Sequence, residues 1–166
     1  MMRATGKNKL LSIGYNDDVV RCMQRVYEEY KEQPIDILPL LINSSYDVDG
    51  KCQSIFAYLV DNVRYKLDKA GDQYIKTPGR LLEDGCGDCK SLTMFLCCCL
   101  HCLGISHKMR FVSFDNTDIY THVYAVALDE QGEEIILDAC ELDQQGQSIY
   151  DYARQYTRKK DIVYYE

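Results

Sequence analysis

The sequence of 166 residues has no tryptophan, only three histidines and no apolar run that approaches the length of a membrane span. A helix needs about 20 consecutive apolar residues to cross a bilayer, so we predict no membrane partner. Positive charge is also scarce, because 19 Lys and Arg residues face 26 Asp and Glu residues and leave a net charge of −7. Proteins that bind nucleic acids usually concentrate Lys and Arg on one face. The only basic cluster is Arg158-Lys159-Lys160, and we therefore predict that nucleic acid is not a partner.

The N-terminal stretch MMRATGKNKLLSIGY lacks the features of a secretory signal. Such a signal needs about 7–15 apolar residues and a small-residue cleavage site. We therefore predict a cytoplasmic protein whose cysteines stay reduced. The chain has nine cysteines, and an odd number cannot be paired completely within one chain. Its length suits a single domain spanning 1–166, with a core that needs no disulfides for stability.

The period of the apolar residues changes along the chain from that of helices to that of strands. Helices are predicted over Asp17–Lys31, Asp47–Lys69, Asp88–Leu103 and, with polar character, Ser148–Arg158. Strands are predicted over Lys108–Phe114, Thr121–Leu128 and Glu133–Ala139, with a possible last strand at DIVYY (161–165). The composition of Gly71–Glu83 is typical of a loop.

These elements indicate an α+β fold, because helices come first and an antiparallel meander follows. The third helix is apolar almost all round, which is typical of a helix that is buried on most sides. We expect this central helix to pack on the antiparallel sheet. The predicted organisation is N-terminal helices over 17–69, a core over 80–140 and a C-terminal helical segment over 141–166.

The stretch GCGDCKS, residues 85–91, stands directly before the central helix. Cys89 lies at the predicted N-terminus of that helix, where free backbone N–H groups and the helix dipole favour an anion. A cysteine in this position tends toward the thiolate, which is the nucleophilic form. Gly85 and Gly87 allow a sharp turn and leave room for an approaching substrate. The alternative interpretation is a small buried residue beside a Gly-Asp turn.

A nucleophilic thiol needs a base, and three histidines are available. His101 lies about 18 Å along the same helix from Cys89, which is too far for contact. His107 stands just before a strand and could be at the surface. His122 lies inside the apolar strand THVYAVAL, where an imidazole needs a partner or a function.

A partner for His122 follows from the predicted hairpin of the second and third strands. Placing Leu128 opposite Gly132, the left-handed residue of a short loop, puts His122 directly opposite Asp138. The Cβ atoms of opposed residues are about 4.5–5.5 Å apart. A carboxylate at that distance can fix the imidazole tautomer and support the imidazolium. The alternative is an Asp–His pair that only satisfies its own hydrogen bonds within the sheet.

The other cysteines also allow a metal site or a redox pair. Cys86 and Cys89 form a C-x-x-C motif, and the run CCCLHC at 97–102 adds more potential ligands. Adjacent residues on a helix point about 100° apart and cannot all bind one ion, so this run is better interpreted as small apolar filler. A redox pair would need a βαβ setting that the predicted strands do not supply. We predict no metal, no cofactor and structural roles for Cys22, Cys52 and Cys140.

Several motifs occur in an order that resembles the transglutaminase-like superfamily of papain-like proteins. GDCKS opens an apolar helix that ends in LGI, and the strands HVYAVAL and ILDA follow. Upstream, IFAYLVDNVRYKLD and YIKTPGRLLEDGCGDC are similar to the segments that lead to the nucleophile in short members encoded by phages. The resemblance covers Phe56–Ala139.

The resemblance implies a catalytic triad of Cys89 as nucleophile, His122 as base and Asp138 as third member. The thiolate would attack a carboxamide carbonyl and form a thioester, which water or an amine would resolve. The backbone N–H of Cys89 would contribute to an oxyanion hole. Weaker candidates for oxyanion or supporting roles are Tyr65, Asn62 and Asp88. Glu83 stands where papain-type enzymes have an oxyanion-hole glutamine.

Cysteine-dependent acyl transfer on peptide or protein amides is therefore the predicted function, either hydrolysis or a transglutaminase-like transfer. The absence of tryptophan and the short chain argue against the well-known cross-linking enzymes. The alternative is a non-catalytic binding module or a virion-associated scaffold module of the same fold. The phage likeness extends the predicted location to host cytoplasm or virion, and the oligomeric state stays open.

Overall fold

Helices precede the main sheet, in the order that the apolar periods predict. The computed structural model describes residues 2–3, 17–69 and 74–166. The helices are α1 (Asp17–Tyr30), α2 (Leu38–Leu41), α3 (Val48–Asn62), α4 (Pro78–Asp84) and α5 (Cys89–Cys102), with a 3-10 helix at Gln33–Asp36. The strands are β1 (Met2–Arg3), β2 (Arg64–Tyr65), β3 (Tyr74–Ile75), β4 (Cys86–Gly87), β5 (His107–Ser113), β6 (His122–Leu128), β7 (Glu134–Leu137) and β8 (Arg158–Tyr164). Among these residues, no helix is both long and apolar enough to span a bilayer.

The central helix α5 is buried along its whole length from Cys89 to Leu100. It packs against β6 on one side and against α1, α3 and α4 on the others. Burying one large apolar side chain contributes about 1.5–3 kcal/mol, so a helix that is apolar all round is stable only in such an enclosed position. The prediction of a buried central helix is confirmed.

The main sheet is antiparallel and has the strand order β7-β6-β5-β8. One face of it covers α5, and on the other face the buried guanidinium of Arg110 on β5 holds the edge strands. Arg110 contacts Asp161 of β8 at 2.8 Å and Glu134 of β7 at 2.7 Å. The last strand predicted at DIVYY is confirmed, because Asp161–Tyr164 belong to β8.

Two predictions for the first half of the chain need correction. The helix α3 ends at Asn62 rather than at Lys69, because Val63 is extended and the strand β2 follows it. The segment Gly71–Glu83 contains the short helix α4, which Thr77 caps through its side chain; its residues 71–73 lie outside the described part. The strands β2 and β4 pair in parallel, with Tyr65 beside Gly87. This pairing fixes the chain directly before α5.

The predicted polar helix over Ser148–Arg158 is wrong, and so is a helical segment over 141–166. No residue between 141 and 166 is helical. Asp151 adopts a left-handed conformation with φ of 53° and exchanges hydrogen bonds with the backbone of Ile136 on β7, at 2.9 and 3.1 Å. The segment thus forms hydrogen bonds with the backbone of the edge strand β7. It lacks the apolar stripe that would hold a helix in place.

Candidate active site

Asp88 fixes the start of α5 and with it the position of Cys89. The Asp88 carboxylate accepts hydrogen bonds from the backbone N–H groups of Lys90 at 3.1 Å and Ser91 at 3.4 Å, which is the usual arrangement of an N-cap. Cys89 is therefore the first residue of the helix, and only 5% of its surface is exposed. The sequence prediction of a cysteine at a helix N-terminus is confirmed.

A buried ion cluster surrounds this cap. The Lys90 side chain is 1% exposed, and its ammonium group forms an ion pair with Asp88 and lies 3.7 Å from the carboxylate of Asp68. Burial raises the pKa of Asp88, and the charge of Lys90 opposes this effect. The lysine thus lets a carboxylate cap the helix next to a thiol without leaving its negative charge unbalanced. Asp88 thus holds the first turn of α5, and its supporting role in a reaction stays a prediction.

His122 and Asp138 form the second half of the site. The Nε2 atom of His122, at the start of β6, lies 2.6 Å from Oδ2 of Asp138, which follows β7. The Asp138 side chain is 2% exposed, and its Oδ1 accepts a hydrogen bond from the backbone N–H of Cys140 at 3.1 Å. The rings of Phe114 and Tyr124 lie 6.1 and 5.8 Å from the imidazole. The imidazole is therefore held in one orientation.

The predicted register of this hairpin is off by two residues, although the predicted contact is present. Leu128 pairs with Glu134 and Ala125 with Leu137, rather than Leu128 with Gly132. The loop is longer than expected, with Gly132 in the left-handed conformation at φ 79°. A shift of two residues keeps every side chain on the same face of the sheet. Asp138 is thus a diagonal neighbour of His122, still within reach.

The two halves meet through His122 and Cys89. Burial alone would lower the pKa of His122, but hydrogen bonds with the side chains of Asp138 and Cys89, and the negative charges of both, raise it to about 10. Because Asp138 occupies Nε2, Nδ1 is the nitrogen that remains for the Cys89 sulfur. The arrangement favours the protonated form of His122. It brings together the three residues that the sequence predicts for the triad.

The other two histidines lie elsewhere. His101 contacts Glu166 at 2.6 Å. His107 is fully buried, with Nδ1 on the carbonyl of Ile105 at 2.7 Å and Nε2 beside the hydroxyl of Tyr27 at 3.0 Å. Burial lowers the pKa of His107 and keeps it neutral. The prediction that His101 is out of reach of Cys89 agrees with its place at the far end of α5.

Of the weaker candidates besides Asp88, Tyr65 lies close to the predicted triad and Asn62 does not; Glu83, at the position of the papain-type glutamine, also lies away from it. Burial raises the pKa of Tyr65, and the nearby carboxylates of Asp88 and Asp138 add to the effect, so its hydroxyl stays protonated. Asn62 uses its side-chain amide to bind the carbonyl of Tyr58 at 2.8 Å in its own helix. Glu83 is exposed on α4 and lies 3.8 Å from Arg80. Neither of these last two side chains is directed at Cys89.

Cys140 is the site residue that the sequence analysis missed. It was assigned a structural role, but its sulfur lies within 4.8 Å of ligand atoms of His122 and Asp138. This trio is the only group of three or more possible metal ligands among the residues that the structure describes. Burial raises the pKa of the Cys140 thiol, and the charge of Cys89 adds to the effect. Cys140 lies in the turn after Asp138, and its backbone N–H donates to the Asp138 carboxylate at 3.1 Å; its place two residues after Asp138 is the sequence signal that could have revealed it.

The remaining cysteines fit the interpretation as apolar filler. All nine are free thiols. Cys97, Cys98 and Cys99 are fully buried in α5, and burial raises the pKa of each. Cys86 is half-buried on β4, and its carbonyl accepts a hydrogen bond from the Lys76 ammonium group at 2.7 Å. The C-x-x-C pair does not belong to any possible metal site within the described ranges.

The prediction that the glycines leave room for a substrate is wrong at Gly87. A Cβ atom there would lie 2.6 Å from Cδ1 of Leu81 and 3.1 Å from Cβ of Ser91. The space is filled by the protein's own side chains, which press the chain before Cys89 against α4 and α5. Gly85 serves instead as the left-handed residue that ends α4, with φ of 67°.

Gly87→Ala should therefore destabilise the protein by roughly 1–3 kcal/mol, the usual cost of overpacking. The melting temperature should fall by about 2–4 °C for each kcal/mol in a chain of this size. Gly79→Ala is the matched control, because its added Cβ meets only the flexible side chain of Gln33 at 3.3 Å. Thermal denaturation followed by circular dichroism measures both variants. Equal melting temperatures would contradict the close packing inferred at Gly87.

Comparisons with known proteins show which solved structures share this fold. No family model matches the sequence, and no curated protein matches it either. Among solved structures, a candidate protease from Parabacteroides distasonis ATCC 8503 matches with a TM-score of 0.63 and 14% identity, over 81% of this chain and 30% of that one. Calcium-bound LapG from Legionella pneumophila matches with a TM-score of 0.51 and 18% identity, over 87% of this chain and 83% of its own. The chain thus spans less than a third of the length of the first of these.

These likenesses define the class of the molecule by its fold. It has the papain-like, transglutaminase-like α+β fold, in which a buried helix packs on an antiparallel sheet. The fold class and the resemblance predicted from the sequence are confirmed. A thiol at the start of that helix faces an imidazole and a carboxylate on the sheet.

Proposed function

We propose that the protein is a cysteine-dependent hydrolase of peptide or protein amides, with Cys89, His122 and Asp138 as its catalytic triad. The observation that carries the proposal is the continuous hydrogen-bonded chain from Asp138 through His122 to the Cys89 side chain. The fold also supports the proposal, since one of the similar structures is a candidate protease. A thiol, a base and a group that orients the base are the minimum for nucleophilic catalysis.

The reaction begins with the Cys89 thiolate attacking the amide carbonyl carbon. The S–C bond forms while the carbonyl electron pair moves to oxygen, and the backbone N–H of Cys89 at the start of α5 is one donor to that oxyanion. The His122 imidazolium then gives its proton to the leaving amine, and the C–N bond breaks. Asp138 holds the ring through Nε2 throughout. The product is a thioester on Cys89.

Water completes hydrolysis by attacking the thioester carbonyl, with neutral His122 taking its proton; the C–S bond then breaks, the acid leaves and Cys89 returns as the thiolate. A primary amine in place of water gives a new amide, which is the transferase outcome. The two outcomes are separated by supplying a labelled primary amine with a peptide amide. Incorporation of the label identifies a transferase, whereas a free acid with release of the amine identifies a hydrolase.

The proposal is tested by mapping which thiol reacts first with limiting iodoacetamide at a pH of about 6, where an ordinary cysteine is almost entirely protonated. Cys89 should react at least roughly 10-fold faster than the other eight thiols, because only a thiolate attacks this reagent. Burial raises the pKa of six of those eight, namely Cys52, Cys97, Cys98, Cys99, Cys102 and Cys140.

Two variants make this labelling experiment specific. His122→Gln removes the imidazolium and should abolish the advantage of Cys89. Cys86→Ser removes the half-buried thiol three positions away and should leave the advantage intact. Even labelling of the native protein, or an unreactive Cys89, would rule out the catalytic proposal and favour the binding or scaffold module.

A further inference from the structure

A cleft with a volume of about 490 Å³ adjoins the triad and has no part in the reaction described so far. Three of its lining residues tie it to the site. Leu92 is one helical turn after Cys89, Ala139 directly follows Asp138, and Tyr65 is paired with Gly87 on β2 and β4. Cys89 itself is not among the lining residues, so a group bound in this cleft would lie about one helical turn from it.

The cleft is lined mainly by apolar side chains from several separate elements. They are Leu59, Val60, Val63, Leu92, Ala139 and Leu142. Two lining residues keep a large exposed surface, Tyr65 at 48% and Leu142 at 56%. A ligand that covers apolar surface gains about 25 cal/mol of binding free energy for each Å² removed from water. The walls therefore offer a binding surface to an apolar group.

The charged residues at the cleft restrict the ligand further. Asp61 and Arg64 are both exposed and have opposite charges, so their charges largely cancel. A charged group that entered the apolar interior would lose its hydration, and attraction to one of these two side chains would be offset by repulsion from the other. The cleft thus selects an aliphatic or aromatic group over an acidic or basic one.

Hydrogen bonds within the protein hold the segment that carries Leu142 in place. Leu142 and Ser148 form a β-bridge, and the turn between them is closed by a hydrogen bond from Asp143 N–H to the Gln147 carbonyl at 2.8 Å. The Ser148 hydroxyl donates to the carbonyl of Ala139 at 2.7 Å, next to Asp138. A wall that is fixed to the catalytic segment can discriminate between substrates, because its position does not adapt to each of them.

We propose that this cleft, with Leu142 and Tyr65 as its exposed walls, is the specificity pocket that takes an apolar side chain of the substrate next to the amide attacked by Cys89. This inference rests on the proposed function and adds the class of substrate. The enzyme would prefer peptides with a leucine-like residue beside the scissile bond. An apolar residue at that position would place the carbonyl carbon against the sulfur.

The test uses short peptidyl chloromethyl ketones, which alkylate an active-site thiol without turnover. The two residues before the ketone are varied one at a time among Leu, Ala and Asp, and inactivation rates are measured for the native protein, Leu142→Ser and Leu40→Ser. Each rate is divided by the iodoacetamide rate of the same variant, so a general change in the reactivity of Cys89 cancels. Leu40 is 84% exposed on α2, outside the cleft, and provides the matched control.

The native protein and Leu40→Ser should react roughly 10–100-fold faster with the Leu reagent than with the Ala reagent at one of the two positions, the range expected for an apolar pocket. Leu142→Ser should reduce that ratio to about 3-fold or less. Equal ratios in the native protein and Leu142→Ser, or no preference in the native protein, would overturn the cleft proposal while a reactive Cys89 upholds the catalytic one. A Cys89 that resists iodoacetamide as well would overturn both.

Discussion

Replacing Cys89 with alanine should lower kcat/KM for a peptide amide by roughly 10⁴–10⁶-fold, since removal of a nucleophile leaves only binding and the oxyanion donor. The change should be selective for catalysis. Alanine is the best helix former, and Cys89 is the first residue of α5, so the helix keeps its start and its Asp88 cap. The loss of the Cys89 hydrogen bond and charge also removes part of what raises the pKa of His122.

Release of the amine product measures this effect on the apolar peptide that the native protein cleaves best. Cys86→Ala is the control, because Cys86 is half-buried three positions earlier and lies outside the triad. It should retain activity within about 3-fold, as expected for a residue away from the reacting atoms. A Cys89→Ala variant that still cleaves at a tenth of the native rate would show that another group is the nucleophile.

Much of the site could be predicted because it depends on local sequence. The apolar period of α5 and the Gly-Asp turn before it place Cys89 at a helix N-terminus, and these features are visible in consecutive residues. His122 stood out since it is a polar residue within an apolar strand. Its contact with Asp138 can be predicted from the face of the sheet on which both side chains lie, and a register shift of two residues leaves both on that face.

The rest depends on contacts between distant segments. The register of the hairpin is set by a loop in which Asp129 binds the backbone of Gln131 and Glu133 through its side chain, and the sequence does not give the length of such a loop. The polar segment Ser148–Arg158 has no apolar stripe of its own, so its conformation depends on contacts with the sheet. Its extended form comes from Ile136, which exchanges hydrogen bonds with Asp151.

The Lys90 ion cluster illustrates the same limit. A lysine between a cysteine and a serine at the start of an apolar helix would normally be expected to reach solvent. Its burial is balanced by two carboxylates, that of Asp88 two residues earlier and that of Asp68, from a separate segment, at 3.7 Å. Buried charged residues of this kind can be identified only from the residues that they contact in the fold, and not from their neighbours in the sequence.

Asp138→Asn should be the second large effect, with kcat reduced by about 10³–10⁴-fold, as is typical when the orienting carboxylate of a triad becomes an amide. An amide keeps the size of the side chain but can donate a hydrogen bond to Nε2 of His122. That donation favours the wrong tautomer, in which Nδ1 carries the proton and cannot accept one. It also removes the negative charge that supports the imidazolium.

The pH dependence follows from the same contact. In the native protein the pKa of His122 is raised to about 10, so the imidazolium that protonates the leaving amine persists until the pH approaches that value. The alkaline limb of the kcat profile should therefore lie near it, and in Asp138→Asn it should move to lower pH. A folded-state pKa above the unfolded one stabilises the fold fully below about pH 6.5, and that stabilisation is lost as the pH rises through the folded pKa.

Asp138→Asn should accordingly lose most stability relative to the native protein at pH 6 or below, where the stabilisation from the raised pKa of His122 is fully present. The difference in unfolding free energy should narrow as the pH rises toward 10, the value near which the native His122 loses its proton. Urea denaturation at a series of pH values measures this difference, and initial rates give the kcat profile. Asp151→Asn is the control, since it removes a carboxylate that binds the backbone of Ile136 outside the site. If both variants gave the same pH-independent loss, Asp138 would be acting only as a structural residue and His122 would not depend on it for its proton.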